Sequence, residues 1–313
     1  LGFEVSPYVL GRYRNQDGGT KNLTGDVGFD VRWRIGSGLN ATVSVNTDFA
    51  ETEVDQRVLN FSRFPLFYPE KRRFFLEDSG IYQFADLNEN LLIPYYTRRV
   101  GLSQSGEPVP ILAAGKLSGR AGAYELGATT AWLDEADGVD STGVFAGRLT
   151  RQLFGDSTAG IIATAGDPRS NGDNALAGCD FRFQTTELPN RETLVTNLFC
   201  LGSQTDPIDD PEFSGHAFGM GAAWPGDRIS LSAQAAEISE GFDPALGFLR
   251  RNDIRYLSGK IQYLFRPDNP AWWQSYGVSY TGNVYTNLDN EIESRSHAIY
   301  PFILKFASND ELS

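Results

Sequence analysis

The residues best suited to chemistry crowd into one stretch of the chain. Asp48, Glu51, Glu53 and Asp55 supply carboxylates, and Arg57, Arg63, Lys71, Arg72 and Arg73 supply cations shortly after. Opposed acidic and basic rows across a water-filled passage set a transverse field, which is how many pores select what crosses them. Asp30, Arg32 and Arg34 repeat on every second position of one segment, and Asp180 and Arg182 do the same in another, so these five are candidates to line the same passage. Cys179 and Cys200 are the only cysteines. They lie about equally far from the turn at Leu188–Arg191, which predicts a cross-strand pair. Free thiols are the expected state, because two positions directly across a ladder often suit a disulfide poorly. Two cysteines alone do not make a metal centre. His216 and His297, the only histidines, have no ligand-spaced neighbours. Acidic pairs such as Asp134 with Glu135, or Asp209 with Asp210, have the residue type of glycosidase carboxylates but sit in loops, where solvated charge is the common state. Neither a catalytic residue, a metal nor a cofactor is predicted.

These residues need elements that can position them, and the elements are strands. From Asp26 to Ile35, Val27, Phe29, Val31, Trp33 and Ile35 alternate with Asp26, Gly28, Asp30, Arg32 and Arg34. Strict period two puts oil on one face and charge on the other. After Gly36–Gly38 the alternation resumes through Leu39, Ala41, Val43 and Val45, which reads as a hairpin. Similar segments recur at Tyr124–Thr130, Ala177–Gln184, Ile229–Ala235, Leu257–Phe265, Gln274–Tyr280 and Ala298–Phe306. About fourteen strands are predicted in all, most near the ~9–11 residues that cross a bilayer when tilted. Short and longer connections alternate, as periplasmic turns and external loops do in outer-membrane barrels. Trp33, Trp132, Trp224, Trp272 and Trp273 lie near strand ends, where aromatic girdles form.

Composition narrows the field further. A net charge of -13 argues against a nucleic-acid partner, which requires a basic face. No apolar run is long enough for a membrane helix, but a barrel strand needs apolar residues only at every second position. The expected fold is all-β: an antiparallel, up-and-down transmembrane β-barrel of the bacterial outer membrane, in contact with its lipid. Residues 1–313 form one such domain, C-terminally incomplete, with about sixteen strands or more when closed.

One connection breaks the pattern. Residues 49–107 form a long insertion between the third and fourth strands, rich in Phe and Tyr and therefore able to fold. Two placements are open: inward, as a plug in the barrel, or outward, as a cap. The segments Asn46-Thr47-Asp48-Phe49-Ala50 and Arg63-Phe64-Pro65-Leu66-Phe67-Tyr68-Pro69-Glu70-Lys71-Arg72-Arg73-Phe74-Phe75-Leu76-Glu77 resemble the signature of a bacterial family, the domain of unknown function 5916. Tyr95–Leu102 resembles its next motif, and Phe242–Phe248 with Asp253–Gly259 resembles a third. The resemblance implies an outer-membrane barrel that follows a family-nine-like carbohydrate-binding module, here missing before Leu1. It establishes no catalytic residue to carry over.

The leading expectation is a pore or transport-type barrel handling saccharide-like solutes, with the insertion gating the lumen. The alternatives are a membrane-anchored glycan hydrolase and a passive anchor for the periplasmic module.

Overall fold

The computed structural model describes residues 2–15, 21–46, 64–87, 91–103, 109–188, 192–208, 210–267, 272–308 and 310–312. The chain is a long antiparallel meander. Its strands are β1 (Phe3–Asn15), β2 (Lys21–Ile35), β3 (Leu39–Val45), β4 (Leu92–Ile93), β5 (Ile111–Ala121), β6 (Tyr124–Leu133), β7 (Thr142–Gln152), β8 (Thr158–Ala165) and β9 (Asp173–Thr185). They continue with β10 (Leu194–Asp206), β11 (Phe213–Pro225), β12 (Ile229–Ile238), β13 (Phe248–Leu249), β14 (Ile254–Phe265), β15 (Trp273–Thr286), β16 (Ile292–Phe306) and β17 (Glu311–Leu312). Fifteen of these form one sheet in chain order, and the short β4 and β13 pair separately. Fourteen of the sheet's strands run 7 to 15 residues, and β17 adds two more at one edge. Among the described residues β1 and β17 are the two edges, so the sheet is not closed.

The two faces of this sheet are inverted relative to a water-soluble protein. Register aligns Arg32 with Thr42, Thr42 with Lys116, Lys116 with Thr129, Thr129 with Ala146, and Ala146 with Thr164. Along this row Thr42, Lys116, Thr129, Ala146 and Thr164 are all buried. One residue further along each strand the side chain points the other way, as the pleat requires. There Val43 is 48% exposed and Phe145 44%. Val5, Phe29, Ile161, Leu198, Met220, Leu257, Ile261 and Val278 are likewise exposed on the sheet. A monomeric soluble protein rarely leaves so broad an apolar surface uncovered.

Two features depart from the reading of the sequence. Connections do alternate between two ends of the sheet, yet their lengths overlap, because the β1–β2 and β15–β16 hairpins stay paired out to Asn15↔Lys21 and Thr286↔Ile292. Only the stretches 46–110 and 239–253 stand well above the rest, and both emerge at the same end. Strand β16 also breaks the simple alternation expected for Ala298–Phe306. Its register slips opposite Gly277/Ser279, at Pro301, whose missing N–H cannot join the ladder. Before that slip Ile299, 71% exposed, stands opposite Tyr280 on the outward face, where the simple alternation expects Ala298 and Tyr300.

Candidate functional site

The insertion between β3 and β5 lies against the buried face of the sheet. It enters from the end shared with the 239–253 connection and descends between the strands. Its first helical turn among the described residues is α1 (Arg73–Leu76), followed by a 3-10 turn at Ser79–Tyr82 and another at Thr97–Arg99. Lys116 of β5, buried, donates from Nζ to the carbonyls of Phe74 (2.5 Å) and Glu77 (2.6 Å). A cation there satisfies carbonyls that a helix end leaves without partners. Ser118 donates to Asp78 Oδ2 at 2.6 Å, and the Tyr82 hydroxyl meets Thr129 Oγ1 at 2.7 Å. Gly127 of β6 makes room for this turn: a Cβ there would stand 2.9 Å from Ile81 Cγ2 and 3.0 Å from Tyr82 Cζ.

Further round the sheet the anchors are charged. Arg148 of β7 and Asp180 of β9 form a two-pronged ion pair at 2.6 and 2.9 Å, with side chains 4% and 7% exposed. Asp180 Oδ2 also accepts the Ala85 backbone N–H at 3.0 Å, and the Arg148 guanidinium lies 5.1 Å from the Phe84 ring centre. Arg182 reaches Asp86 at 3.0 Å, and Arg32 of β2 reaches Glu77 at 3.2 Å. One insertion is thus held by β2, β5, β6, β7 and β9. Residues 73–86 lie against the buried face of the sheet.

The three motifs that carried the family resemblance come together above these anchors. Arg72, buried, is bound by Glu70 (2.7 and 2.8 Å) and donates to the carbonyls of Thr97 (2.6 Å) and Val100 (2.5 Å). Tyr96 N–H donates to Leu246 O at 2.8 Å, joining the insertion to the 239–253 connection. The rings of Phe67, Tyr96 and Phe248 pack 5.4 to 5.7 Å apart. Phe75, Leu91, Leu92, Tyr95, Phe242 and Leu246 fill the core of this unit. Asp243 ties it to the sheet through Arg169, at 2.7 and 2.9 Å, while its backbone N–H donates to Ser203 Oγ at 2.9 Å.

Burial and charge work against each other here. Burial alone would raise the Glu70 carboxyl, but the hydrogen bonds and charge of Arg72 outweigh it and hold the group below its usual range. Burial pushes the Tyr82 phenol up to about 12, so it stays neutral and able to donate. Burial also disfavours the Arg169 cation, and Asp243 and Asp167 more than offset that, leaving it above its ordinary value.

The candidate lining residues are dispersed by this packing. Asp30 accepts from Ser44 Oγ at 2.5 Å; Arg34 stands exposed near the end of β2; Arg73 is exposed and pairs with Glu77 at 3.0 Å. Lys71 lies beside the Glu70–Arg72 pair, its backbone N–H donating to Glu70 Oε1. Asp48, Glu51, Glu53, Asp55 and Arg63 fall outside the described residues. Cys179 and Cys200 are directly opposed, with Sγ atoms 3.1 Å apart, both free and on the apolar face. Asp134 accepts the Glu135 backbone N–H, a turn-closing contact, and Asp209 is outside the described residues. His216 and His297 stand on separate strands, near Glu237 and Tyr280.

Sequence reasoning missed Lys116 and Arg148, the two buried cations that seat the insertion. A signal was available: each is a single charge in mid-strand, flanked two residues away by small or apolar side chains at Ala114 and Ala146. A charge at such a place requires a partner.

No curated protein matches the chain. Among solved structures, the crystal structure of Pseudomonas aeruginosa OccK10 (OpdN) is similar at 12% identity and a TM-score of 0.44, over 97% of this chain and 85% of that one. So loose a likeness carries no argument about what this chain does. The family described as Domain of unknown function (DUF5916) matches residues 2–120, from β1 through the insertion to β5. Over those residues, the chain is similar to the DUF5916 family, the one its motifs resemble.

Proposed function

We propose that this chain is the barrel of a bacterial outer-membrane protein of the pore or transport type, with the folded insertion filling and gating its lumen. The observation that carries the reading is the inversion of the sheet's faces. Apolar side chains stand uncovered on one face, while Lys116, Arg148 and Ser44 are buried on the other. A hydrocarbon solvent outside and a polar interior make that arrangement favourable.

Within this reading Arg32, Asp180 and Arg182 act as latches rather than as an open lining, because each is engaged by the insertion or its neighbour. Asp30, Arg34, Asp48, Glu51, Glu53, Asp55, Arg63, Lys71 and Arg73 remain the proposed constriction, while Arg72, buried against Glu70 and the Thr97 and Val100 carbonyls, holds the insertion together. A saccharide-like cargo and a preceding sugar-binding-like module rest on the family resemblance alone. The aromatic residues Phe67, Tyr96 and Phe248 pack on one another, which leaves their faces engaged within the insertion.

The test is single-channel conductance of the complete protein in planar bilayers. A plugged pore predicts low, infrequent openings in the native protein and larger, longer ones when the anchor is cut by Lys116→Met. A native protein and variant that both leave the bilayer silent would contradict the pore reading.

A further inference from the structure

At the loop end of the sheet lies a cavity of about 750 Å³ between the insertion and the 239–253 connection. Its charged lining consists of Arg99, Arg169, Arg250 and Arg251 against Glu240 and Asp243. The cations are not equally satisfied. Arg169 holds both Asp167 and Asp243. Arg251 faces Glu293 at 3.5 Å and stacks over the Phe64 and Tyr285 rings. Arg99 and Arg250 differ: among the described residues neither side chain has an ion-pair or hydrogen-bond partner, and the Nε of each is buried without one. The Arg250 guanidinium lies 5.3 Å from the Phe64 ring centre.

Two such cations lining one cavity are costly unless something offsets them. Burial, and next the charge of Arg169, pull Arg99 below its ordinary pKa, so its cation is held at a cost that an incoming anion would relieve. Guanidinium groups present paired N–H donors at the spacing of carboxylate or phosphate oxygens. The carboxylates that act on Arg99, Asp167 and Asp243, are bound by Arg169 and offset its burial only in part.

We propose that this cavity binds the oxyanion of a small solute, a carboxylate or phosphate group, through Arg99 and Arg250. The proposal rests on the pore reading for its meaning, since it names the class of solute the barrel would admit. It does not rest on that reading for its test.

Binding is measured by calorimetry on the complete protein in detergent micelles, with glucuronate, inorganic phosphate and glucose as probes. Glucuronate or phosphate should bind while glucose does not. Arg99→Gln and Arg250→Gln should each weaken binding by about tenfold or more, the scale of a lost charge-assisted pair. Arg99→Lys should fall between. Glu240→Gln, which removes a negative charge from the lining, should tighten binding, a gain that misfolding could not imitate. Equal binding of glucose and glucuronate, or affinities unmoved by all these substitutions, would overturn the site. Binding without conductance would end the pore reading and leave the site standing; conductance without binding would do the reverse.

Discussion

Asp180 offers the sharpest single perturbation of the insertion. Its carboxylate does two things at once: it neutralises Arg148, and it accepts the Ala85 N–H. Asp180→Asn keeps an oxygen for Ala85 but removes the charge. Arg148 would then be a buried cation, 4% exposed, whose Nε already lacks a partner. Breaking one side of a buried pair costs about 3–5 kcal/mol. If that energy holds the insertion in place, local opening becomes roughly a hundredfold or more easier. Hydrogen exchange in lipid reads this directly: amides of residues 84–87 should speed up by that factor while those of β5–β9 do not change. Replacing both partners, Arg148→Met with Asp180→Asn, should return most of the protection, because no unpaired charge is left. Unchanged exchange in Asp180→Asn would refute the latch, as would a uniform rise across the strands, which would assign the pair to the sheet alone.

Other perturbations probe different parts of the same packing. Gly127→Leu places side-chain atoms where Ile81 and Tyr82 now lie, so protease cleavage within residues 79–87 should increase while the heat-modifiable migration of the barrel persists. Phe242→Ala empties a buried site between the insertion and the 239–253 connection and should cost about 3–5 kcal/mol, read as faster exchange in both segments together. Glu70 has a depressed folded-state pKa, so its contribution is present above the unfolded value near 4.5 and is lost as pH falls through the folded one. Conductance should therefore be steady through neutral pH and rise in strong acid; in Glu70→Gln that acid rise should vanish.

The sheet was legible because its physics is local. Val27–Ile35 and Leu39–Val45 alternate cleanly, and alternation fixes which residues share a face. The direct opposition of Cys179 and Cys200 followed from counting outward from one turn. The insertion was legible as a folded unit and not as a location. Its aromatic content shows that it has surface to bury, but inward and outward placements bury the same rings. What seats residues 73–86 on the sheet's buried face is contact with Lys116, Arg148 and Gly127, which lie far away in sequence and declare themselves only once the strands are in register. For the same reason the cavity lined by Arg99 and Arg250 was invisible: its two key cations come from separate motifs that meet in space.

The solvent that the exposed apolar face meets decides whether this sheet spans a bilayer. Nitroxide labels placed one at a time at residues 144–149 of β7, with the complete protein in lipid bilayers, test this by electron paramagnetic resonance. Labels replacing Phe145, Gly147 and Leu149 should be open to dissolved oxygen and closed to a water-soluble nickel chelate, with those at Val144, Ala146 and Arg148 shielded from both. Ready collision of the chelate with positions 145, 147 and 149 would mean that water, not lipid, bathes this face, and the barrel reading would fail.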